Sequence, residues 1–214
     1  MSRLASARPV TLIGGAPVGR AELDQALQLA PVVAAADSGA DIALGHGLVP
    51  RAVWGDFDSI SARARSQIPP ANQHPIAEQD STDFEKCLSR IDAPFVIGLG
   101  FSGTRHDHFL AVLNVLARGI GPPCLLLAGD DVITLAPPRL MLDLAPGTRV
   151  SLFPMGPATG RSQGLEWPID GLDLSPTGRL GTSNKATGPV TLECQGPLLL
   201  ILPRLELARM ARTL

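Results

Sequence analysis

The feature that most constrains this chain is a change of texture near residue 130. Before it, short apolar runs alternate with helix-like stretches; after it, short apolar runs are interrupted by Gly and Pro too often for helices. The first pattern is that of βαβ units carrying a mostly parallel sheet. Strands are predicted near 9–13 (PVTLI), 31–36 (PVVAAA), 51–54 (RAVW), 73–76, 94–98 (PFVIG) and 124–128 (CLLLA). Between them, residues 20–30 set Leu23, Ala26, Leu27 and Ala30 on one helical face, and the more apolar 107–117 is expected to lie largely buried. In the second half, turn signals at 137–138, 146–147, 156–160, 170–171, 176–178 and 188–189 predict an antiparallel β-sandwich or barrel. The expected organisation is a Rossmann-like, mostly parallel α/β domain over residues 1–133, followed by an antiparallel β-sandwich over residues 134–214.

Composition narrows the class. With 214 residues, 45% of them hydrophobic, the chain can bury a real core. A net charge of −2 argues against affinity built on a nucleic-acid backbone, so no nucleic-acid partner is expected. No apolar run approaches the roughly 20 residues needed to span a bilayer, and MSRLASARPVTLIGG lacks a stretch of signal-peptide length. The expectation is a cytoplasmic protein without a membrane partner. Cys87, Cys124 and Cys194 are odd in number and far apart, which suggests neither a disulfide framework nor a metal knuckle; small core residues are expected.

In an open α/β sheet, ligands bind beyond the carboxyl ends of the strands, so polar residues just after each predicted strand are the ones to examine. Asp37-Ser38-Gly39 follows the second strand and Gly55-Asp56-Phe57-Asp58-Ser59 the third. Gln79 to Lys86 follows the fourth, and the glycine-rich stretch from Gly98 through Gly100 to Gly103 follows the fifth, leading into Arg105-His106-Asp107-His108. All should converge on one edge. Asp56 and Asp58, two apart in a Gly-flanked loop, can turn both carboxylates toward one cation, and hard oxygen ligands suit Mg²⁺. A solvated acidic loop is the plainer alternative; Asp37 at a neighbouring strand end favours the functional one. Thr82 and Glu85 fit a capping box that places Asp83 and Lys86 in the first helical turn, where capping and phosphate binding are compatible. Gly100 and Gly103 allow the backbone close to a phosphate, with Arg105 as a bidentate partner.

GLGFSG also matches the dinucleotide fingerprint GxGxxG, but it does not open the first βαβ unit and lacks an acidic residue about 20 positions on. No phosphate-binding GxxxxGK[ST] loop, nucleophile elbow, HExxH or CxxC pair is present. Gly181-Thr182-Ser183-Asn184-Lys185 forms a polar patch that suits a small heterocycle or a tight turn equally well. Trp167, near a strand end in GLEWP, is expected in core packing.

Taken in order, AADSGAD (35–41), GLVPRAVWGDFDSI (47–60), QDSTDFEKCL (79–88), the GTRHDHFLAVLN stretch, GLEWPI (164–169), GTSN (181–184) and GPLLLI (196–201) resemble thiamine pyrophosphokinases. The resemblance implies an ATP-binding α/β domain, a thiamine-binding β-sandwich, and a homodimer with a cross-subunit site. It implies transfer of the pyrophosphoryl group of ATP to the thiamine hydroxyl, with AMP leaving and Mg²⁺ required. By the same resemblance Asp37, Asp56, Asp58 and Asp83 lie in the metal and phosphate site, with Asp56, Asp58 and Asp83 as metal ligands and Asp107 nearby. Gln79, Thr82, Lys86 and Arg105 contact ATP phosphates, and Ser183 and Asn184 meet the thiamine pyrimidine. On physical grounds one of Asp56, Asp58 or Asp83 is also a candidate to accept the hydroxyl proton. Two departures stand out: Lys185-Ala186-Thr187 replaces an aromatic that many relatives carry after TSN, and Thr104 replaces a glycine. A diphosphokinase for another hydroxymethyl heterocycle, such as a pterin, and an inactive nucleotide or thiamine sensor are the alternatives.

Overall fold

The computed structural model describes residues 3–214, which cluster into two compact units. The first runs to Ala128, Leu116–Arg118 apart, and the second starts at Gly129.

In chain order, the first unit comprises β1 (Leu4–Ala5), β2 (Val10–Ile13), α1 (Arg20–Leu29), β3 (Val32–Ala36), α2 (Gly39–Gly45), β4 (Val53–Gly55) and α3 (Ala62–Gln67). It continues through β5 (Gln73–Pro75), α4 (Asp83–Leu88), β6 (Ile91–Asp92), β7 (Val96–Leu99), α5 (His106–Ala117) and β8 (Cys124–Ala128). Six strands pair in parallel in the order β5-β4-β3-β2-β7-β8. The predicted strands all form, displaced by one or two residues at their ends. The strands β2, β3, β7 and β8 form because apolar runs of four or five residues can be buried on both faces, and every residue of β2 and β7 is buried; β4 is a buried three-residue strand, and β5, at the end of the strand order, is only partly buried. The order reverses direction at β2, so a crevice opens beyond the carboxyl ends of β2 and β7.

The helix α5 departs from expectation. Only Val112, Val115 and Leu116 are buried, while Leu110 and the polar start of the helix face solvent. A helix lying on a sheet buries one stripe at i, i+3 and i+4 spacing, and high apolar content does not enlarge that stripe.

The second unit is antiparallel: β9 (Asp131–Leu135), β10 (Arg139–Leu142), β11 (Arg149–Pro154), β12 (Thr159–Leu165), β13 (Gly181–Gln195) and β14 (Leu198–Pro203), followed by α6 (Leu207–Ala211). The strand order is β10-β13-β11-β14-β9, with β12 also on β13. The long β13 pairs with β11 through its first residues and with β10 and β12 through its last. Its core is the alternating face of Val190, Leu192 and Cys194 together with Val150, Leu152 and the apolar run of β14. Cys87, Cys124 and Cys194 are free and buried, as small core residues. No described helix is long and apolar enough to cross a membrane.

Candidate active site

The acidic site is built by the loops after β3 and β4. At the end of β3 the chain turns sharply: Asp37 has φ 43°, a left-handed conformation that Asp and Asn tolerate better than other side chains. At the end of β4, Phe57 also adopts a positive φ (66°) and drops into a core of Ala35, Ala40, Val53, Ile60, Ala64 and Ile68. That anchor turns Asp56 and Asp58 outward together. The loop's far end is fixed by Ser61, which caps α3 through Ala64 N–H at 3.0 Å and donates from its own N–H and hydroxyl to Asp41 of α2. Gly55 must lack a side chain, because a Cβ there would lie 2.7 Å from that of Asp37.

Asp37, Asp56 and Asp58 thereby bring one carboxylate oxygen each within 4.8 Å of one another. Asp58 also accepts from Ser59 Oγ at 2.7 Å, and Asp56 accepts from Gln79 Nε2 at 3.1 Å and from Asp58 N–H at 3.2 Å. Asp37 is 5% exposed, and its Oδ1 is buried with no hydrogen-bond partner. A buried carboxylate oxygen left without a donor, beside two further carboxylates, is a costly arrangement that a divalent cation would relieve. The donor set of hard oxygens fits Mg²⁺.

The titration behaviour agrees with this geometry. Burial raises the Asp37 carboxyl above its ordinary range, the Ser59 hydroxyl opposes the shift, and Asp83, Asp56 and Asp58 add to it. Burial likewise raises Asp83, against the pull of Lys86. Asp56 is lowered, first by the Gln79 hydrogen bond and then by the Asp58 backbone. A carboxyl with a raised folded pKa carries no penalty below the ordinary carboxylate range, where it is protonated folded or unfolded. It carries the full penalty above the raised value, so this contribution to stability falls as pH climbs through that window. Asp37→Asn, which keeps the shape and tolerates the left-handed turn, is therefore expected to raise the metal-free melting temperature by a few degrees at neutral pH. The gain should vanish at pH below the carboxylate range, and thermal unfolding across pH with a chelator present checks both halves.

The next layer of the site is α4. Thr82 caps it as its spacing to Glu85 indicates, accepting from Glu85 N–H at 3.2 Å. The Lys86 side chain is only 3% exposed, and its ammonium pairs with Asp83 at 3.4 Å. The Cys87 thiol reaches the carbonyls of Ala35 and Trp54 at 3.8 and 3.9 Å, tying α4 to the ends of β3 and β4. Asp83 stands with Lys86 and outside the Asp37, Asp56 and Asp58 trio.

The glycine loop after β7 packs against a second glycine loop, absent from the sequence-derived candidates. Gly14 and Gly15 follow β2, and the strand-end rule that points to the other loops applies to them equally. Gly14 N–H donates to Leu99 O at 2.7 Å and Ala16 N–H to Gly100 O at 2.9 Å. Gly100 has φ 70°, and a Cβ there would meet the carbonyls of Gly14 and Ala16 at 2.8 Å. Gly103 is exposed, and Thr104 sits in the loop without a positive φ, so it needs no glycine. Arg105 grips Asp107 through Nη2 at 2.6 Å and Nε at 3.3 Å; both are exposed, and the guanidinium lowers the Asp107 carboxyl to about 2.

In the second unit, Ser183 takes φ 62° where β13 bulges against β11, with its N–H on Ser151 Oγ at 3.0 Å. Asn184 is buried, and its amide holds the backbone of Trp167. Trp167 itself corrects the expectation of core packing: it is 53% exposed, with the Lys185 ammonium 6.0 Å from its ring centre. Strand β12 ends at Leu165, so Trp167 lies two residues past the last paired position.

A family profile described as the catalytic domain of thiamin pyrophosphokinase matches residues 23–121, and one described as its vitamin B1 binding domain matches residues 139–199. The chain belongs to the thiamin pyrophosphokinase family. Thiamine pyrophosphokinase 1 of Oryza sativa subsp. japonica is 30% identical over 154 residues, 63% of this chain and 58% of that protein. Thiamine pyrophosphokinase of Bacillus subtilis is 36% identical over 90 residues, 39% of this chain and 42% of its own. The matches thus span less than two thirds of either relative's length. Solved thiamin pyrophosphokinases from Candida albicans and from yeast share the fold, with TM-scores of 0.76 and 0.75 at 15% and 16% identity. They are covered over 94% and 95% of their chains, and cover 95% and 100% of this one. The catalytic thiamin pyrophosphokinase profile takes in every acidic-site residue from Asp37 to Asp107, and the second takes in Trp167, Ser183 and Asn184.

Proposed function

We propose that this chain is a Mg²⁺-dependent thiamine diphosphokinase, which moves the pyrophosphoryl group of ATP onto the hydroxyl of thiamine and releases AMP. The observation that carries this reading is the trio of Asp37, Asp56 and Asp58 with its buried, unpartnered oxygen, in a chain of this family. In this reading Asp56 and Asp58 hold Mg²⁺, with Asp37 completing the set and Asp83 beside it. The ion when bound supplies positive charge to the phosphate oxygens, which is the main requirement of phosphoryl-type transfer. Gln79 orients Asp56, Lys86 contributes a buried positive charge, and Arg105 offers the edge of its guanidinium not engaged by Asp107 to a phosphate. The Gly100 and Gly14 loops let backbone approach the nucleotide without side chains in the way.

On the acceptor side, the exposed Trp167 supplies the aromatic face for thiamine that Lys185-Ala186-Thr187 does not, and Ser183, next to Asn184 in sequence, supplies a hydroxyl. In finer terms the α/β unit is a Rossmann-like ATP-binding half and the antiparallel unit a β-sandwich that receives thiamine. The enzyme works as a cytoplasmic homodimer whose site is completed by the partner. One observation keeps a second acceptor in view: the Lys185 ammonium, which stands 6.0 Å from the Trp167 ring centre and 4.0 Å from the Glu166 carboxylate, replaces an aromatic side chain with a charge pair, and a neutral pterin alcohol would stack on the indole beside it.

Incubation with ATP, Mg²⁺ and either thiamine or a hydroxymethylpterin, with chromatographic identification of both products, tests the proposal. Thiamine diphosphate with equimolar AMP is expected. Thiamine monophosphate with ADP would place attack at the γ-phosphorus and overturn the mechanism, and turnover of the pterin alone would establish the second acceptor.

A further inference from the structure

The side chain of Asn184 does something the sequence pattern does not indicate. Its Nδ2 donates to Trp167 O at 2.6 Å, and its Oδ1 accepts from Trp167 N–H at 3.1 Å and from Lys185 N–H at 2.9 Å. One side-chain amide therefore satisfies both backbone groups of a single residue, as a neighbouring strand would. The need for it is visible in the ladder: β12 pairs with β13 up to Leu165 opposite Ala186, after a register shift between Gln163 and Leu165. Gly164, at φ 77°, produces that irregularity, and a Cβ there would lie 2.0 Å from Pro189 O. Beyond Leu165 only Glu166 N–H finds a backbone acceptor on β13, Lys185 O at 2.8 Å, and Pro168 has no N–H to offer. Asn184 extends the ladder past its end and fixes Trp167 there.

The two ends of this contact differ in exposure. Asn184 is 3% exposed, with both polar atoms of its amide engaged, whereas the indole it carries stands in solvent. We infer that Asn184 is a positioning residue, which acts on the acceptor through Trp167 and does not touch the acceptor itself. The inference rests on Trp167 being the acceptor's aromatic partner, and it changes the role expected of Asn184 from direct contact with the pyrimidine. A rigid aromatic platform loses little freedom when a flat ring stacks on it, so loosening it should weaken acceptor binding and leave the transfer step alone.

Tryptophan emission provides a readout that needs no substrate. The chain has two tryptophans, and Trp54 is fully buried, so quenching by aqueous acrylamide reports chiefly on Trp167. Asn184→Ala is expected to lower the emission anisotropy, raise quenching, and raise the acceptor KM about fivefold to tenfold with kcat changed less than about threefold. In a Trp167→Ala background the same substitution should add less than about twofold, because the two residues form one unit. Asn184→Ser is too short to span both backbone groups and is expected to behave like Asn184→Ala; it serves should the alanine variant unfold. Unaltered emission in the Asn184 variants, or a full KM penalty persisting without Trp167, would overturn the inference. Altered emission in a protein that turns over neither acceptor would instead refute the enzymatic reading and leave the Asn184 to Trp167 clamp standing.

Discussion

Asp58→Asn is expected to lower turnover by about a hundredfold to a thousandfold, the range seen when one preorganised charge-stabilising group is removed. The variant should fold normally. Asp58 is exposed, its loop is anchored by Phe57 in the core and by Ser61 on Asp41, and the hydrogen bond from Ser59 can pass to the amide oxygen. What is lost is one of three anionic oxygens that lie within 4.8 Å of one another, and with it the affinity of the set for a hard divalent cation. The loss should therefore be accompanied by a shift of the Mg²⁺ dependence to higher concentration. Steady-state kinetics across a Mg²⁺ titration measure both, and circular dichroism establishes that the fold is kept. Wild-type turnover with an unchanged Mg²⁺ midpoint would remove the trio from the chemistry. A smaller effect is expected of Gln79→Ala, because Gln79 orients Asp56 through one hydrogen bond and supplies no charge.

The contrast between these two residues shows what is legible in the sequence. The position of an acidic residue after a strand can be read from hydrophobic runs and their ends, since the topology of a parallel sheet forces all such ends onto one edge. Asp37, Asp56 and Asp58 are legible in that way, and so is the Thr82 cap, whose spacing alone encodes it. The partners of those residues are not. That Gln79 bonds Asp56 and that Arg105 is held by Asp107 depend on side-chain directions that no spacing rule gives, and the i,i+3 spacing that pairs Asp83 with Lys86 does not say that the lysine is buried. Gly14 and Gly15 lie within reach of the strand-end rule. Trp167 does not, because an indole after a strand is buried far more often than displayed, and the buried amide of Asn184 that holds its backbone is visible only in the fold. The helix α5 departs from its reading for a related reason: composition sets how much apolar surface a helix has, whereas what packs against it sets how much is covered.

Gly39→Ala is expected to have a large effect on stability. Gly39 opens α2 immediately behind the Asp37 turn, and a Cβ there would lie 2.1 Å from Ile13 O, 2.7 Å from Ile13 C and 3.0 Å from Gly14 C. All three atoms are backbone, at the carboxyl end of the central strand β2, so no side chain can swing aside. Gly39→Ala therefore forces α2 away from β2, and overpacking of this kind costs about 3 kcal/mol. For a chain of this size that corresponds to a fall in melting temperature of about 6–12 °C. A Cβ on Gly45, at the other end of the same helix, would have nothing within 4 Å of it, and Gly45→Ala is expected to be neutral or slightly stabilising. Comparing the two by thermal unfolding separates steric exclusion from helix propensity, since propensity alone would favour alanine at both. Because Asp37 and Ser38 precede Gly39 directly, the displacement should also disorder the trio. Turnover of Gly39→Ala well below its melting temperature is expected to fall at least tenfold, more than any fraction of unfolded chain at that temperature can account for. A variant as stable as the parent would mean that α2 can move freely over β2, and the rigid placement of Asp37 would then have to come from Gly55 and the β4 loop alone.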